Sequence, residues 1–350
     1  METPAGRGGQ PRQGIHEDPG SLIGNPQALP PTNRQIAQGG DFRYRLAARR
    51  GFGRGYTARV PELPEVEVTR QRLAPLLVGR VIERVETTRD SYFFLTKPEA
   101  LKRQLAGRTV SALNRQGKYL LAELDDGNRL LLHLGMTGQL FSSAVTSVRL
   151  FSAKTRGSLP PEALREFKPD LHTHLSLHFR DGGPSVLFRD VRKFGKVLWL
   201  ARGLADPRLE KLGVDALSAT GRTLFDAARG RKIPIKTLLL DQGVIAGIGN
   251  IYADEALFLA KVRPTRSARR VTARECDAIV LATKRVMNRS IATGGSSISD
   301  YVTPDGSDGG YQDERKVYAR KGLPCPVCRT PIRRLVIATR GTHYCAECQV

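Results

Sequence analysis

The 350-residue sequence has no run approaching the ~18 apolar residues that a membrane-spanning helix needs. Its N-terminus also has no continuous apolar segment of the kind that directs secretion. Cysteine is sparse, five in all, and four of the five crowd at the C-terminus. These absences argue against a membrane protein and against a secreted disulfide scaffold. Acids are short as well: 34 Asp and Glu face 56 Lys and Arg, leaving a net charge of +22. Lysine is itself scarce, 14 against 42 arginines, so a coding bias contributes to the basic character. Such an excess of positive charge attracts a polyanion before any contact forms, and nucleic acid is the commonest one. At 38.5 kDa, with 40% hydrophobic residues, the chain can build real cores, in two or three domains.

Residues 1–60 read differently from the rest. Gly, Pro, Gln and Arg dominate, no periodicity is present, and all nine basic residues are Arg against four acids. Such a segment cannot bury enough apolar surface to offset its ordering entropy. We expect a disordered extension there. Its Arg-rich, acid-poor make-up also suits an organellar transit peptide, a reading weakened by Glu17, Asp18 and scattered prolines.

From Pro61 the pattern sharpens. Pro64 falls where a first helical turn tolerates proline, and Val66, Leu73, Leu76 and Leu77 follow before Gly79. Short β-rich runs come next. Tyr119–Leu124 and Arg129–Leu134 flank an Asp-Asp-Gly-Asn turn, and Leu175–Phe179 and Val186–Phe188 flank Asp181-Gly182-Gly183. Both predict hairpins, within a sandwich-like domain over 61–200. Beyond Asp206 the period turns helical. Thr272 and Glu275 form a capping box, and Cys276, Ile279, Val280, Thr283, Met287 and Ile291 share one face up to Gly294-Gly295. Cys276 reads as a small core hydrophobe. The Gly-rich stretch 296–315 predicts a long exposed loop.

The strongest chemical signal is Cys325-Pro-Val-Cys328, then Cys345-Ala-Glu-Cys348 after sixteen residues. Two Cys-x-x-Cys knuckles put four thiolates around one tetrahedral zinc and leave no position open for substrate, so the metal is expected to be structural. Segments 333–339 and 342–344 would form two strands joined at Arg340-Gly341, which aims Arg340 from a hairpin tip. There it is either simply solvated or in contact with a phosphate. Gly247-Ile-Gly249-Asn250 opens a clear helix at Ile251-Tyr252. It lacks the third glycine of a dinucleotide fingerprint, and reads either as an anion site with Arg231, Lys232 and Lys236 upstream or as an ordinary N-cap at Asn250. Taken singly, Met136 and Phe194 read as core, and Lys118 as solvent-facing.

In order along the chain, Pro61-Glu62-Leu63-Pro64-Glu65-Val66-Glu67, Gln116-Gly-Lys118-Tyr, His133-Leu-Gly-Met136, Arg192-Lys-Phe194-Gly195, Gly247-Ile-Gly-Asn250-Ile-Tyr and the four-cysteine ribbon resemble the formamidopyrimidine-DNA glycosylase family. The match runs in register from 61 to 350. The resemblance implies an α+β, multidomain protein: a catalytic β-sandwich with flanking helices over 61–200, a helix–two-turn–helix domain over 207–295, a lesion-recognition loop over 296–315 and a zinc finger over 316–350. It implies a bifunctional glycosylase and abasic-site lyase acting on double-stranded DNA that contains oxidised bases, with one structural zinc. It also implies a monomer with a cytoplasmic, nucleoid-associated location of bacterial type.

Residue by residue, Pro61 matches the N-terminal amine that attacks C1′ and forms an imine. Glu62 matches the acid that assists ring opening and base loss, Lys118 the cation beside the nucleophile, and Arg340 the finger residue linked to phosphate contact and elimination. Met136, Arg192 and Phe194 match the side chains that fill the void left by a flipped nucleotide, which turns Met136 and Phe194 from core to exposed insertion residues. His133 belongs to the same DNA-handling set, and His172, Arg231, Lys236 and Asn250 match phosphate contacts. The Glu-Leu-Pro-Glu-Val opening and the long 296–315 loop, with Ser299–Thr303 at its tip, resemble the oxidised-purine branch.

One departure matters chemically. A proline nitrogen inside a chain is a tertiary amide with no usable lone pair, and Pro61 follows Val60. A valine-type alternative start codon at Val60, read as methionine and trimmed, would free it, and we expect that residues 1–60 lie upstream of the true start. Two alternatives stay open: an oxidised-pyrimidine glycosylase of the sister branch, and a catalytically silent DNA-binding protein if residues 1–60 are retained.

Overall fold

In the computed structural model, residues 61–144, 167–297 and 301–350 are described. The expected disorder of 1–60 and the Ser299-Asp300 part of the loop tip lie outside them. Helix α1 (Leu63–Leu77) starts at Glu62, whose carboxylate and that of Glu65 form a capping box, with Pro64 in the first turn. Its buried face, Val66, Leu73 and Leu77, joins the core between two four-stranded antiparallel sheets.

One sheet is built of β1 (Ile82–Thr87), β5 (Gly138–Ser142), β6 (Thr173–Phe179) and β7 (Val186–Asp190), in the order β1-β6-β7-β5. The other is built of β2 (Val110–Gln116), β3 (Tyr119–Leu124), β4 (Arg129–His133) and β8 (Lys196–Leu200), in the order β2-β3-β4-β8. Both expected hairpins form: Leu121 pairs with Leu131 and Ser176 with Leu187. A second helix, α2 (Pro98–Leu105), buries Leu101 and Leu105 in the same core. β3 and β4 do not alternate cleanly because their outer face is covered too: Leu121, Leu131 and Leu200 pack with Leu209 of α3 (Pro207–Glu210).

The helical part follows. A two-residue parallel pair, β9 (Val214–Asp215) and β10 (Ile245–Ala246), precedes and interrupts α4 (Gly221–Ala228), α5 (Ile235–Leu239), α6 (Asn250–Leu259) and α7 (Ala273–Ala292). Helix α7 carries the expected Thr272–Glu275 capping box and buries Cys276, Ile279, Val280, Thr283 and Met287. Cys276 is a core residue, its thiol pushed up to about 11 by burial. Gly294 and Gly295 end the helix at φ +80° and +86°. Ile251 to Phe258 of α6 are all buried, including Asp254 and Glu255. The sandwich and the helical part meet at Arg115, whose guanidinium bridges Glu67 of α1 at 2.9 Å and Asp215 of β9 at 2.6 Å.

The stretch after Gly295 differs from the exposed loop expected. Tyr301, Val302, Thr303 and Tyr311 are buried. Tyr301 donates to the Glu65 carbonyl at 3.1 Å, and Arg72 of α1 reaches Asp305 and Ser307 at 2.5 Å. Polar composition misled here because the polar groups bond back onto α1. The C-terminal hairpin, β11 (Arg333–Ile337) and β12 (Arg340–Tyr344), turns at Ala338-Thr339, both at positive φ. Arg340 is therefore the first residue of a strand, paired with Ile337, and does not stand at the tip.

Candidate active site

The glycines of Gly247-Ile-Gly249 make room for the chain that follows Pro61. A Cβ at Gly247 would meet Leu63 Cδ1 at 2.4 Å, and one at Gly249 would meet Glu62 Cδ at 2.2 Å. Leu63 N–H donates to the Gly247 carbonyl at 3.1 Å. Glu62 thus lies at the start of α6, where its carboxylate accepts the Ile251 N–H at 2.9 Å and the Tyr252 N–H at 3.4 Å. The anion held at this helix start is a side chain of the protein itself, an arrangement the helix dipole favours. Gly249 is the N-cap and Asn250 the first helical residue, so the N-cap reading of Asn250 gives way. Its Nδ2 donates instead to the Gly341 carbonyl at 2.9 Å.

Burial dominates the titration of Glu62 and raises its carboxyl above the usual range, while Lys118 and the helix N–H groups pull the other way. Lys118 is not solvent-facing. Its Nζ donates to the Ile248 carbonyl at 3.0 Å, and burial lowers its ammonium below the usual lysine range. Glu62 opposes that shift and Arg340 adds to it, so Glu62, Lys118 and Arg340 share one electrostatic neighbourhood. Arg340 itself is exposed. Pro61, directly before Glu62, is buried.

Sequence reasoning missed Glu65. Its Oε2 accepts the Glu62 N–H at 2.9 Å, and its Oε1 accepts Tyr252 Oη at 2.6 Å and the Ser296 N–H at 2.9 Å. One carboxylate therefore ties the Pro61–Glu62 segment, α6 and the start of the 296–315 segment together. Burial first, then the charge of Glu62, pushes it up to about 7. Its position in Glu-Leu-Pro-Glu-Val was visible; its role as a three-way junction was not.

The expected DNA-facing residues divide. Phe194 is 37% exposed, and the Arg192 guanidinium, also exposed, lies 4.8 Å from its ring centroid. Their loop is held by fully buried Asp190, which sequence reasoning also missed: it accepts the Arg192 N–H at 3.2 Å, the Gly195 N–H at 2.6 Å and the Thr137 hydroxyl. Gly135 lets the Met136 turn pack directly on it, since a Cβ there would meet Phe194 and Gly195 backbone at 2.4 Å. Met136 is half-buried rather than fully exposed. His133 receives the Gly135 N–H on Nδ1 at 3.1 Å, and burial with Lys118 and Lys196 lowers its ring to about 4, so it is neutral at pH 7. His172 is half-buried, and Arg231 is exposed in a 3.4 Å pair with Asp241. Lys236 departs from the expectation of a phosphate contact. It is 0% exposed, paired at 2.6 Å with Asp254, and its Nζ is taken up by the Gly341 carbonyl and Thr342 Oγ1 of the zinc hairpin.

With Phe194 exposed and its loop backbone fixed by Asp190, Phe194→Ala is expected to leave the melting temperature nearly unchanged and, in a chain that begins at Pro61, to reduce lesion excision. A loss of about 3–5 kcal/mol, the cost of truncating a buried Phe, would restore the core reading.

At the C-terminus the Sγ atoms of Cys325, Cys328, Cys345 and Cys348 all lie within 4.8 Å of one another. Cys325 and Cys348 are 3.9 Å apart, Cys328 and Cys345 3.4 Å. A tetrahedral zinc with Zn–S about 2.3 Å has S···S edges of about 3.8 Å, so the donor set fits that ion. The local core is small, Phe258, Val317, Cys325, Ile332 and Cys345, and a metal supplies what it lacks. Cys328→Ser should release the zinc, destabilise 316–350 and weaken DNA binding while sparing the sandwich. Zinc content, local hydrogen exchange and a binding titration check this; full DNA affinity in zinc-stripped protein would contradict it.

Sequence models of three domain families match in chain order: the formamidopyrimidine-DNA glycosylase N-terminal domain over 60–197, its H2TH domain over 212–302, and the zinc finger found in FPG and IleRS over 322–350. Most of the chain is covered. The chain belongs to the formamidopyrimidine-DNA glycosylase family. A formamidopyrimidine-DNA glycosylase of Cupriavidus pinatubonensis is 40% identical over 304 residues, covering 83% of this chain and 100% of its own length. The crystal structure of the MutM (Fpg) protein of Thermus thermophilus superposes with a TM-score of 0.69 at 38% identity, over 83% of this chain and 98% of that one. A Lactococcus lactis Fpg mutant bound to DNA containing Fapy-dG gives a TM-score of 0.71 at 32% identity, over 83% and 99%. The α+β architecture, the H2TH domain and the single structural zinc site of this chain are those of the family.

Proposed function

We propose that this chain, once its Pro61 nitrogen is freed from residues 1–60, excises oxidised purines, 8-oxoguanine and formamidopyrimidines, from duplex DNA and then nicks the abasic strand by β,δ-elimination. The observation that carries the reading is the buried Glu62 carboxyl, directly after Pro61 and held at the start of α6 within the electrostatic reach of Lys118. In this reading the Pro61 amine attacks C1′ as the glycosidic bond breaks with its electron pair leaving on the base; the nitrogen then loses its proton and its lone pair expels O4′, opening the sugar to the imine, while Glu62 supplies the proton that neutralises the departing base or the ring oxygen. The resulting imine acidifies C2′, whose proton is lost as the 3′-phosphate is expelled; a second elimination expels the 5′ phosphate. Lys118 stabilises developing negative charge, and Arg340 holds a phosphate beside the reacting sugar. Met136, Arg192 and Phe194 fill the space of the flipped nucleotide and face the orphaned base. His172, Arg231 and Asn250 steady the backbone, and His133 supports the Met136 turn.

The +22 charge and relatives solved on DNA support double-stranded DNA as partner. Among the described residues no helix is long and apolar enough to cross a membrane. A monomer in the bacterial cytoplasm, and the divisions 61–200, 207–295, 296–315 and 316–350, complete the proposal. A second reading has its own support, because wild-type Lactococcus lactis Fpg has been solved with DNA containing an oxidised pyrimidine. Competing 8-oxoguanine and thymine glycol duplexes for a chain that begins at Pro61 separates the two. Preference for thymine glycol would overturn the purine assignment, and imine trapping on neither would leave a DNA-binding protein without catalysis.

A further inference from the structure

Three side chains of the helical part converge on one short stretch of β12. Lys236 of α5 donates from Nζ to the Gly341 carbonyl at 3.2 Å and to Thr342 Oγ1 at 2.9 Å. Asn250 of α6 donates to the same carbonyl at 2.9 Å. Asp254, one turn along α6, accepts the His343 N–H at 2.8 Å through Oδ2 and pairs with Lys236 Nζ at 2.6 Å through Oδ1. Asp254 and Lys236 are both 0% exposed. Residues 341–343 are thus gripped one after another, immediately next to Arg340.

A buried ion pair is by itself weak evidence for stability, because its desolvation cost offsets its Coulombic gain. What sets this one apart is where it acts. Arg340 stands five residues before Cys345, about 17 Å away along a strand at ~3.3 Å per residue. The metal therefore fixes the knuckle end of the hairpin, and another device must fix the turn end. Arg340 is exposed, and its guanidinium makes no ion pair among the described residues. Its backbone position is fixed while its charge stays available.

We propose that Asp254, acting through Lys236 and β12, is a positioning residue that holds Arg340 where it meets a DNA phosphate. The inference rests on the reading of Arg340 as a phosphate contact. It also gives Lys236 a task other than touching DNA.

The test measures affinity of the 350-residue chain for a duplex containing a tetrahydrofuran abasic analogue across a salt series, with zinc content followed in parallel. Arg340→Gln should lower the slope of log affinity against log salt by about one, the loss of one phosphate contact. Asp254→Ala should lower it by the same amount while keeping one zinc per chain. If Asp254→Ala fails to fold, the pair Asp254→Leu with Lys236→Met carries the test, since it removes both buried charges together. Adding Arg340→Gln to either variant should change nothing further, a non-additivity that general destabilisation would not produce. A zinc-replete variant that keeps the full slope would overturn the proposal. So would an additive loss of about two in the triple variant, which would return Lys236 to the phosphates. An unchanged slope in Arg340→Gln alone would instead remove the reading of Arg340 itself.

Discussion

A chain that begins at Pro61 is expected to be trapped by borohydride on duplex DNA containing 8-oxoguanine, and the 350-residue chain is expected not to be. The expectation follows from the amine alone. In the longer chain the Pro61 nitrogen is acylated by Val60, its lone pair is delocalised into the amide, and no imine can form. Freed, a secondary α-amine titrates near pH 8, so a useful fraction is unprotonated at neutral pH, unlike an unperturbed lysine. The family match begins at residue 60, and the relatives are covered over 99–100% of their own length by 83% of this chain. The extension carries nine Arg and four acids, so it holds +5 of the +22, and DNA affinity should differ little at moderate salt. Mass-verified 350-residue protein that forms a stable adduct through Pro61 would refute the mechanism. An adduct mapped to Lys118 would show that its lowered ammonium lets a second amine take over.

Much of this was legible in the sequence, for identifiable reasons. The hairpins announced themselves through Asp-Gly turns between apolar runs, helix α7 through its capping box, and the zinc site through spacing, because each is a local pattern. What stayed hidden depends on residues far apart in the chain. Glu62 binds the start of α6 across 189 positions, and no periodicity reports that. In the sequence the Gly247-Ile-Gly249 pair reads either as room for an anion or as the approach to an ordinary N-cap at Asn250, whereas the space is taken by Glu62 and Leu63. Lys236 looked like one more cation of a basic chain. Its sequence signal lay elsewhere, in Asp254-Glu255 set within an otherwise apolar helix, since the burial of two acids there must be offset by buried partners. Glu255 finds three backbone N–H groups, of Lys316, Val317 and Tyr318, and Asp254 finds Lys236 and His343.

The second large effect is expected from Glu62→Gln, and it should split the two activities. Losing a glycosidic bond to an oxidised purine needs a proton on the departing base or ring, and general acid catalysis of that kind is worth about 10²–10⁴-fold. A preformed abasic site has no base to lose. Its sugar already opens to an aldehyde, which the Pro61 amine can capture unaided. With the chain beginning at Pro61, Glu62→Gln should therefore cut 8-oxoguanine release by about 10²–10⁴-fold and abasic-strand nicking by less than about tenfold. The pH dependence follows from the same assignment. Burial raises the Glu62 carboxyl, so its acid form persists further toward neutrality than an ordinary carboxylic acid, and excision should fall once pH exceeds both that raised value and the titration of the Pro61 amine. At the acid end excision should fall again as the Pro61 amine takes up a proton, which gives a bell whose alkaline limb the Gln variant lacks. Single-turnover release of base, measured beside nicking of a preformed abasic duplex over the same pH range, reads both. Equal losses in the two assays would show that Glu62 holds the strand of Pro61 in place rather than supplying the proton.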